Sequence, residues 1–116
     1  MPPKEDVPRV LAEIEKYCEH IAHATHRFGN SFESFNSDED YQASCVFALF
    51  QIGENVKKIE PWLNTNSDRI PWSKIIRFRD FAGHHYTKAD MKMVWSIIEH
   101  NVPELWSEIL RLKEMF

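Results

Sequence analysis

The residues of this chain best suited to chemistry lie in one short stretch, residues 77–86. It brings together two arginines, an aspartate, two adjacent histidines and a tyrosine, namely Arg77, Arg79, Asp80, His84, His85 and Tyr86. An arginine can hold a phosphate through two parallel hydrogen bonds without losing its charge. A histidine can exchange a proton near neutral pH. In principle these groups suffice for metal-free cleavage of RNA, in which one activates the ribose 2′-hydroxyl and another stabilises the charged transition state.

The spacing of Arg79 and His84 poses a geometric problem. Five residues of an ideal α-helix turn by about 500°, so the two side chains would point about 140° apart. They converge only if the helix frays near Gly83 or if a second copy of the chain contributes to the site. The same residues could also be present without forming a site, because an arginine and two histidines at a helix end interact favourably with its last carbonyls and its dipole.

The distribution of charge is compatible with a phosphate ligand at this stretch. Residues 69–92 contain six basic and two acidic side chains, which gives a net charge of +4. The whole chain carries −4, so the remaining residues carry −8. A basic segment on an acidic protein can be the footprint of a nucleic acid. A solvated helix face would give the same pattern.

Helical periodicity predicts the elements that must position these residues. Helices are expected over about 7–28, 38–59 and 71–83, then from about 90 to a kink at 101–103, and from there to Phe116. Loops are expected at 31–37 and 64–68, and Pro61 is expected to end the second helix. No strand pattern appears. The prediction is an all-α fold, an antiparallel bundle of four to five helices in a single domain over residues 1–116.

The second helix is expected to be buried on two sides. Val46, Phe47 and Phe50 add a second apolar face to its main stripe, and in so small a domain that face could be a subunit interface. Gly53 in mid-helix costs about 1 kcal/mol relative to alanine, so we expect it to let another helix approach closely. After the motif, Thr87-x-x-Asp90 resembles a capping box.

Several other kinds of site are disfavoured. No histidine follows a glutamate at the Glu-x-x-His spacing of di-iron bundles. Histidines at 20, 23 and 26 lack an obvious carboxylate or cysteine to complete a metal site, and are expected to be exposed. Cys18 and Cys45 are expected to be buried and reduced. The lack of a long apolar run or a secretory signal predicts a cytoplasmic protein with no membrane partner.

The motif and its flanks resemble a known family. Residues 79–84 match the Arg-(polar)-x-x-x-His signature of HEPN domains, and the longer Arg79-x4-His84-x-Tyr86 resembles the motif of HepT-like (DUF86) toxins. Similar flanking features are found at Gln51-Ile52-Gly53-Glu54, Ile70-Pro71-Trp72, 90–95 and Val102-Pro103-Glu104-Leu105. The resemblance covers nearly the whole chain.

This resemblance implies an activity and partners. The family's members are metal-independent RNA endonucleases that need no cofactor, the toxin halves of bacterial toxin–antitoxin pairs. The resemblance also implies a homodimer in which the motif helices of the two protomers face one another across a cleft. The antitoxin is a nucleotidyltransferase of the MNT type, which in characterised relatives transfers AMP to the tyrosine that matches Tyr86.

The resemblance also implies a role for each motif residue. Arg79 would clamp the phosphate and His84 would be the general acid and base. Asp80, which is asparagine in many relatives, would orient one of them, and it would repel phosphate unless it pairs with an arginine. His85 and Arg77 would support the site, and His85 leaves the proton-transfer role open between two imidazoles.

Two other functions stay open at this point. A HEPN chain without nuclease activity would be a nucleotide- or partner-binding subunit of a nucleotidyltransferase complex. A plain dimeric bundle without a site would leave Arg79, His84 and Tyr86 exposed and unconnected.

Overall fold

A computed structural model of the chain describes residues 6–84 and 86–116, apart from the side chain of His84. The described residues form seven α-helices and no strand: α1 (Val7–Phe28), α2 (Phe32–Asn36), α3 (Glu39–Lys58), α4 (Glu60–Asn66), α5 (Trp72–His84), α6 (Met91–Ser96) and α7 (Val102–Lys113). A 3₁₀ turn at Lys88–Asp90 precedes α6, and a π-helical turn at Ile97–Asn101 joins α6 to α7 without a break. The predicted all-α bundle is confirmed: α1, α3, α5 and the continuous segment of α6 and α7 are its four main helices, and α2 and α4 are short.

Neighbouring main helices run antiparallel. Near one end of α1 the ring of Phe28 stacks on Tyr41, with centroids 5.2 Å apart. Eleven residues earlier on α1, Tyr17 contacts Phe47 edge to face, with centroids 6.2 Å apart. Contacts earlier on α1 therefore involve residues later on α3, so the two helices run in opposite directions. The α3–α5 and α1–α3 pairs make the most extensive helix contacts within the described residues, and α1 also packs on α7. The core therefore lies between α1, α3 and the continuous segment of α6 and α7, with α5 packed against α3.

The apolar stripes predicted for α1, α3, α6 and α7 are buried as expected. They share helical spacing and near-zero exposure, and include Val7, Leu11, Ile14, Cys18, Ile21, Tyr41, Cys45, Ile52, Val56, Met91, Val94, Ile98, Leu105, Ile109 and Leu112. The second face of α3 is only partly covered, because Val46 is buried, Phe50 is half-buried and Phe47 is 52% exposed. The expectation of burial on both sides therefore holds within the chain only for Val46.

Three boundary predictions are wrong. Residues 31–37 contain the short helix α2, capped by Ser31 and anchored by the buried ring of Phe35. Pro61 does not end α3, which stops at Lys58; it lies in the first turn of α4, where a missing N–H costs nothing, and α4 takes up residues 64–66 of the expected loop. Phe116 lies beyond α7 and is 53% exposed, packed against Trp62 at 5.6 Å.

Other local predictions are confirmed. The capping box forms, since the Thr87 amide donates to Asp90 Oδ2 at 2.7 Å. The α-helix expected to be interrupted at 101–103 gives way to a π turn over Ile97–Asn101, and α7 begins at Val102. Cys18 and Cys45 are buried and unpaired, and burial raises the pKa of each thiol to about 12. Within the described residues, no helix combines the length and apolarity needed to cross a bilayer.

A buried carboxylate ties the loop before α5 to α7. Glu108 is 4% exposed and receives two hydrogen bonds from Arg111, at 2.8 and 2.6 Å, and a short one from the Ser67 hydroxyl. The Ser67 carbonyl in turn accepts from the Trp72 indole at 3.2 Å, at the start of α5. This network sets where α5 begins. It lowers the pKa of Glu108, chiefly through the Arg111 hydrogen bonds.

We expect this network to make stability fall in acid. Because the folded-state pKa of Glu108 lies below its unfolded value, its contribution is complete above about pH 4.5 and is lost as pH falls through the folded pKa. Glu108→Gln should lower the free energy of unfolding at pH 7 by about 1.5–3 kcal/mol. Urea denaturation from pH 7 to pH 3 should show the wild type losing more stability than the variant. Parallel curves would rule out Glu108 as a source of the acid sensitivity.

Candidate active site

The motif helix α5 lies very close to α3 at one point. A Cβ atom at Gly53 would lie 2.7 Å from Cβ of Arg79 and 3.2 Å from the carbonyl oxygen of Ile75, closer than packed carbon atoms come. One helical turn further along, a Cβ at Gly83 would lie 3.0 Å from the ring of Phe50. The expected role of Gly53 in close helix approach is confirmed. The residue it admits is the motif arginine itself.

The close approach brings the Arg79 guanidinium between two carboxylates. Its Nη1 donates to Oε1 of Glu54 at 2.5 Å, and its Nη2 donates to Oδ1 of Asp80 at 3.0 Å. The Arg79 side chain is 20% exposed, that of Glu54 is 34% exposed and that of Asp80 is 72% exposed. Nε of Arg79 is buried, and no acceptor among the described residues lies within hydrogen-bond distance.

These contacts fix the orientation of the arginine. The hydrogen bond that Arg79 donates to Glu54 is the main cause that raises its pKa, and the charges of Glu54 and Asp80 add to it. Arginine is a permanent cation in any case, and here the two carboxylates hold it in one direction. This arrangement differs from the exposed, unconnected arginine that a bundle without a site would show. Asp80 does pair with an arginine, as expected, but it shares that single cation with Glu54.

The remaining motif residues are placed less completely. Arg77 is exposed on α5. The backbone of His84 forms the last residue of α5, so the helix includes Gly83 and continues to the histidine. The His84 side chain and the whole of His85 lie outside the described part of the structure. Their expected roles stay predictions.

Tyr86 lies on the surface beside α3. Its side chain is 41% exposed and lines two open cavities of about 370 and 300 Å³. The first is shared with Lys88 and Glu39, and the second with Phe47 and Phe50. The phenol is therefore accessible to a second macromolecule. Exposed Phe47 next to it extends this accessible surface onto α3.

An apolar groove lies apart from most of the motif. It has a volume of about 290 Å³ between α3, α5 and α7, and is lined mostly by aliphatic side chains. Of the described residues in 77–86, only Phe78 contributes to its wall. We assign it no part in the chemistry.

The predicted exposure of the three α1 histidines is confirmed. All three are exposed, and His20 Nε2 lies 2.8 Å from the Ser44 hydroxyl. Among the side chains that the structure describes, no three His, Cys, Asp or Glu residues come together as a metal site.

The sequence reasoning did not find Glu54. The segment Gln51-Ile52-Gly53-Glu54 is one of the flanking features of the motif, but a role was predicted only for Gly53. The missed signal is an acidic residue directly after a helix-interior glycine. A glycine that admits another helix brings its neighbour within reach of that helix's side chains.

We expect Gly53→Ala to destabilise the protein. Alanine is the better helix former by about 1 kcal/mol, but its methyl group would overlap Arg79 and force α5 away. Such overpacking costs about 1–3 kcal/mol beyond that gain. Urea denaturation measures the difference, with Ser107→Ala at an exposed site of α7 as the control. A Gly53→Ala protein that is more stable than the wild type would contradict the close packing.

Comparison with known proteins gives a family match over most of the chain. Residues 11–112 match the family described as "Ribonuclease HepT-like". The chain is 30% identical over 107 residues to a protein of Methanocaldococcus jannaschii named "Putative RNase", covering 92% of this chain and 87% of that one. It is 27% identical over 110 residues to the "Probable ribonuclease HepT" of Thermococcus cleftensis, covering 95% and 92%. A "Putative RNase" of Caldanaerobacter subterraneus is 28% identical, covering 92% and 90%.

No solved structure matches the chain at a significant level. The sequence matches, in contrast, span almost the whole chain and include the motif segment. Because the family match extends over residues 11–112, this chain belongs to the HepT-like ribonuclease family.

Proposed function

We propose that this chain is a metal-independent RNA endonuclease, the toxin of a toxin–antitoxin pair. The observation that carries the proposal is the fixed, permanently charged Arg79 guanidinium on α5, in the turns before His84 and the exposed Tyr86. The names of the relatives, which describe ribonucleases, support RNA as the substrate. The net charge of +4 over residues 69–92 supports binding of a polyanion.

The proposed reaction needs one base, one acid and one cation. The 2′-oxygen of a ribose attacks the adjacent phosphorus as an imidazole, that of His84, accepts the hydroxyl proton. The bond from phosphorus to the 5′-oxygen breaks, and that oxygen takes up a proton. The products are a 2′,3′-cyclic phosphate and a 5′-hydroxyl. Arg79 stabilises the negative charge that grows on the non-bridging oxygens, and Asp80, Arg77 and His85 support the site.

We propose that the active form is a homodimer. The backbone of α5 is helical as far as His84, and in an ideal helix positions 79 and 84 are about 140° apart. Of the two ways to bring them together, fraying near Gly83 has no support in this helix. A site composed from two facing motif helices would combine the arginine of one protomer with the histidine of the other.

We propose that a nucleotidyltransferase neutralises the toxin at Tyr86. The phenol oxygen attacks the α-phosphorus of ATP, the bond to the β-phosphate breaks, and pyrophosphate leaves while the phenolic proton passes to a base. The 41% exposure of Tyr86 and the open cavities beside it give a partner enzyme access. The added AMP would block the site sterically and would repel the phosphates of RNA.

The test is RNA cleavage by purified protein whose mass shows an unmodified Tyr86. The wild type should cleave RNA in excess EDTA, and His84→Ala with an unchanged circular dichroism spectrum should not. A folded wild type that leaves RNA intact yet binds a nucleotidyltransferase would favour the partner-binding subunit. The exposed Phe47 and Tyr86 surface would then be its interface.

A further inference from the structure

We propose that Glu54 is the positioning residue of the site: it holds Arg79 in place while Asp80 gives way to the RNA phosphate. This inference rests on the proposed ribonuclease function and adds a residue to it. Both carboxylates bind the same guanidinium, Glu54 through Nη1 at 2.5 Å and Asp80 through Nη2 at 3.0 Å. Their surroundings differ enough to give them opposite roles.

Glu54 is fixed by the packing of two helices. It follows Gly53, the residue against which Arg79 packs, so the α3–α5 contact sets the distance between carboxylate and guanidinium. Its side chain is 34% exposed, and its partner is 20% exposed. Glu54 and Arg79 lie on different helices, so their pairing also fixes the direction of the arginine relative to the bundle.

Asp80 is held far less firmly. It is 72% exposed and is the chain neighbour of Arg79. The distance from Arg79 Nη2 to Asp80 Oδ1 is longer than that from Nη1 to Glu54 Oε1, and solvent screens the Asp80 pair. Rotation of this side chain into water would free Nη2 while Glu54 still holds Nη1.

The charge balance requires that one carboxylate withdraw. One guanidinium and two carboxylates carry a net charge of −1, which would repel a phosphodiester. Once Asp80 turns away, Arg79 and Glu54 are together neutral, and Nη2 can donate to a phosphate oxygen. The buried Nε offers no second edge to an incoming ligand. RNA is thus expected to take the place of Asp80 and to leave Glu54 bound.

Steady-state cleavage of a short RNA by the full-length protein separates the two roles. Glu54→Gln should lower kcat by about 10²-fold, because a misplacement of about 1 Å costs that much, with KM changed by no more than about threefold. Asp80→Asn should instead lower KM by about three- to tenfold and leave kcat near wild type. Glu114→Gln removes a charge from the exposed end of the chain and should change neither constant.

A conservative variant guards against loss of fold. Glu54→Asp keeps the charge but shortens the side chain, so kcat should lie between those of the wild type and Glu54→Gln. Arginine side-chain NMR supplies a second readout, because the carboxylate bond slows rotation of the Arg79 guanidinium. Sharp Nη signals, assigned by their absence in Arg79→Lys, should persist in Asp80→Asn and vanish in Glu54→Gln.

The outcomes separate the two proposals. A wild type that does not cleave RNA overturns the proposed function and this inference with it. A wild type that cleaves while a folded Glu54→Gln matches its kcat, or keeps the Nη signals, overturns only the role of Glu54. An unchanged KM in Asp80→Asn overturns the withdrawal of Asp80.

Discussion

Arg79→Lys is expected to reduce kcat/KM for RNA cleavage by about 10³-fold, the upper end of what one transition-state donor contributes. Lysine keeps the positive charge but concentrates it at one ammonium group. The guanidinium bridges Glu54 and Asp80 with two nitrogens at once, a geometry that an ammonium on a flexible stem cannot reproduce. Single-turnover cleavage of a short labelled RNA measures the change.

An arginine outside the motif provides the matched control. Arg27 lies on α1 and is exposed, so Arg27→Lys keeps its charge at a position where geometry matters little. We expect its kcat/KM to stay within about threefold of the wild type. Circular dichroism and urea denaturation of both variants show whether α5 is retained. An Arg79→Lys protein with a tenth or more of wild-type activity would contradict the need for a planar, two-sided donor.

Tyr86→Phe is expected to abolish transfer of AMP to the toxin by its nucleotidyltransferase. The variant lacks only the nucleophilic oxygen, and because the ring is already 41% exposed, stability should change little. Intact-mass measurement after incubation with the enzyme and ATP should show one added AMP on the wild type and none on the variant. In cells, the variant should stay toxic when the nucleotidyltransferase is present.

Tyr17→Phe is the control for this experiment. Tyr17 is half-buried on α1 against the ring of Phe47, and its variant should still accept AMP. Modification of Tyr86→Phe would place the acceptor elsewhere. A wild type that is neutralised without any gain in mass would mean that the antitoxin covers the site instead of modifying it.

Much of the fold follows from local sequence patterns. The bounds of α1, the buried stripes and the Thr87–Asp90 capping box depend on spacing within a few residues, and the structure has them as predicted. The short helices α2 and α4 were missed for a physical reason. Five or seven residues show too little periodicity, and α2 depends on Phe35 packing against Tyr41 and against Trp95, which is distant in sequence.

The site was predictable in its residues but not in its contacts. The spacing of Arg79 and His84 marked the motif, and the mid-helix position of Gly53 marked a close approach. The partner of Arg79 is 25 residues away, and its identity depends on how α3 and α5 align. That alignment is a property of the packed bundle and has no local sequence pattern.

The chemistry of the RNA ends formed in excess EDTA tests the central claim most directly. Attack by the ribose 2′-oxygen, with Arg79 and an imidazole as the only catalytic groups, predicts products that end in a 2′,3′-cyclic phosphate and begin with a 5′-hydroxyl. Mass spectrometry of a cleaved oligonucleotide distinguishes these from other termini. Products with a 3′-hydroxyl and a 5′-phosphate, or cleavage that stops when EDTA is added, would contradict the proposed mechanism.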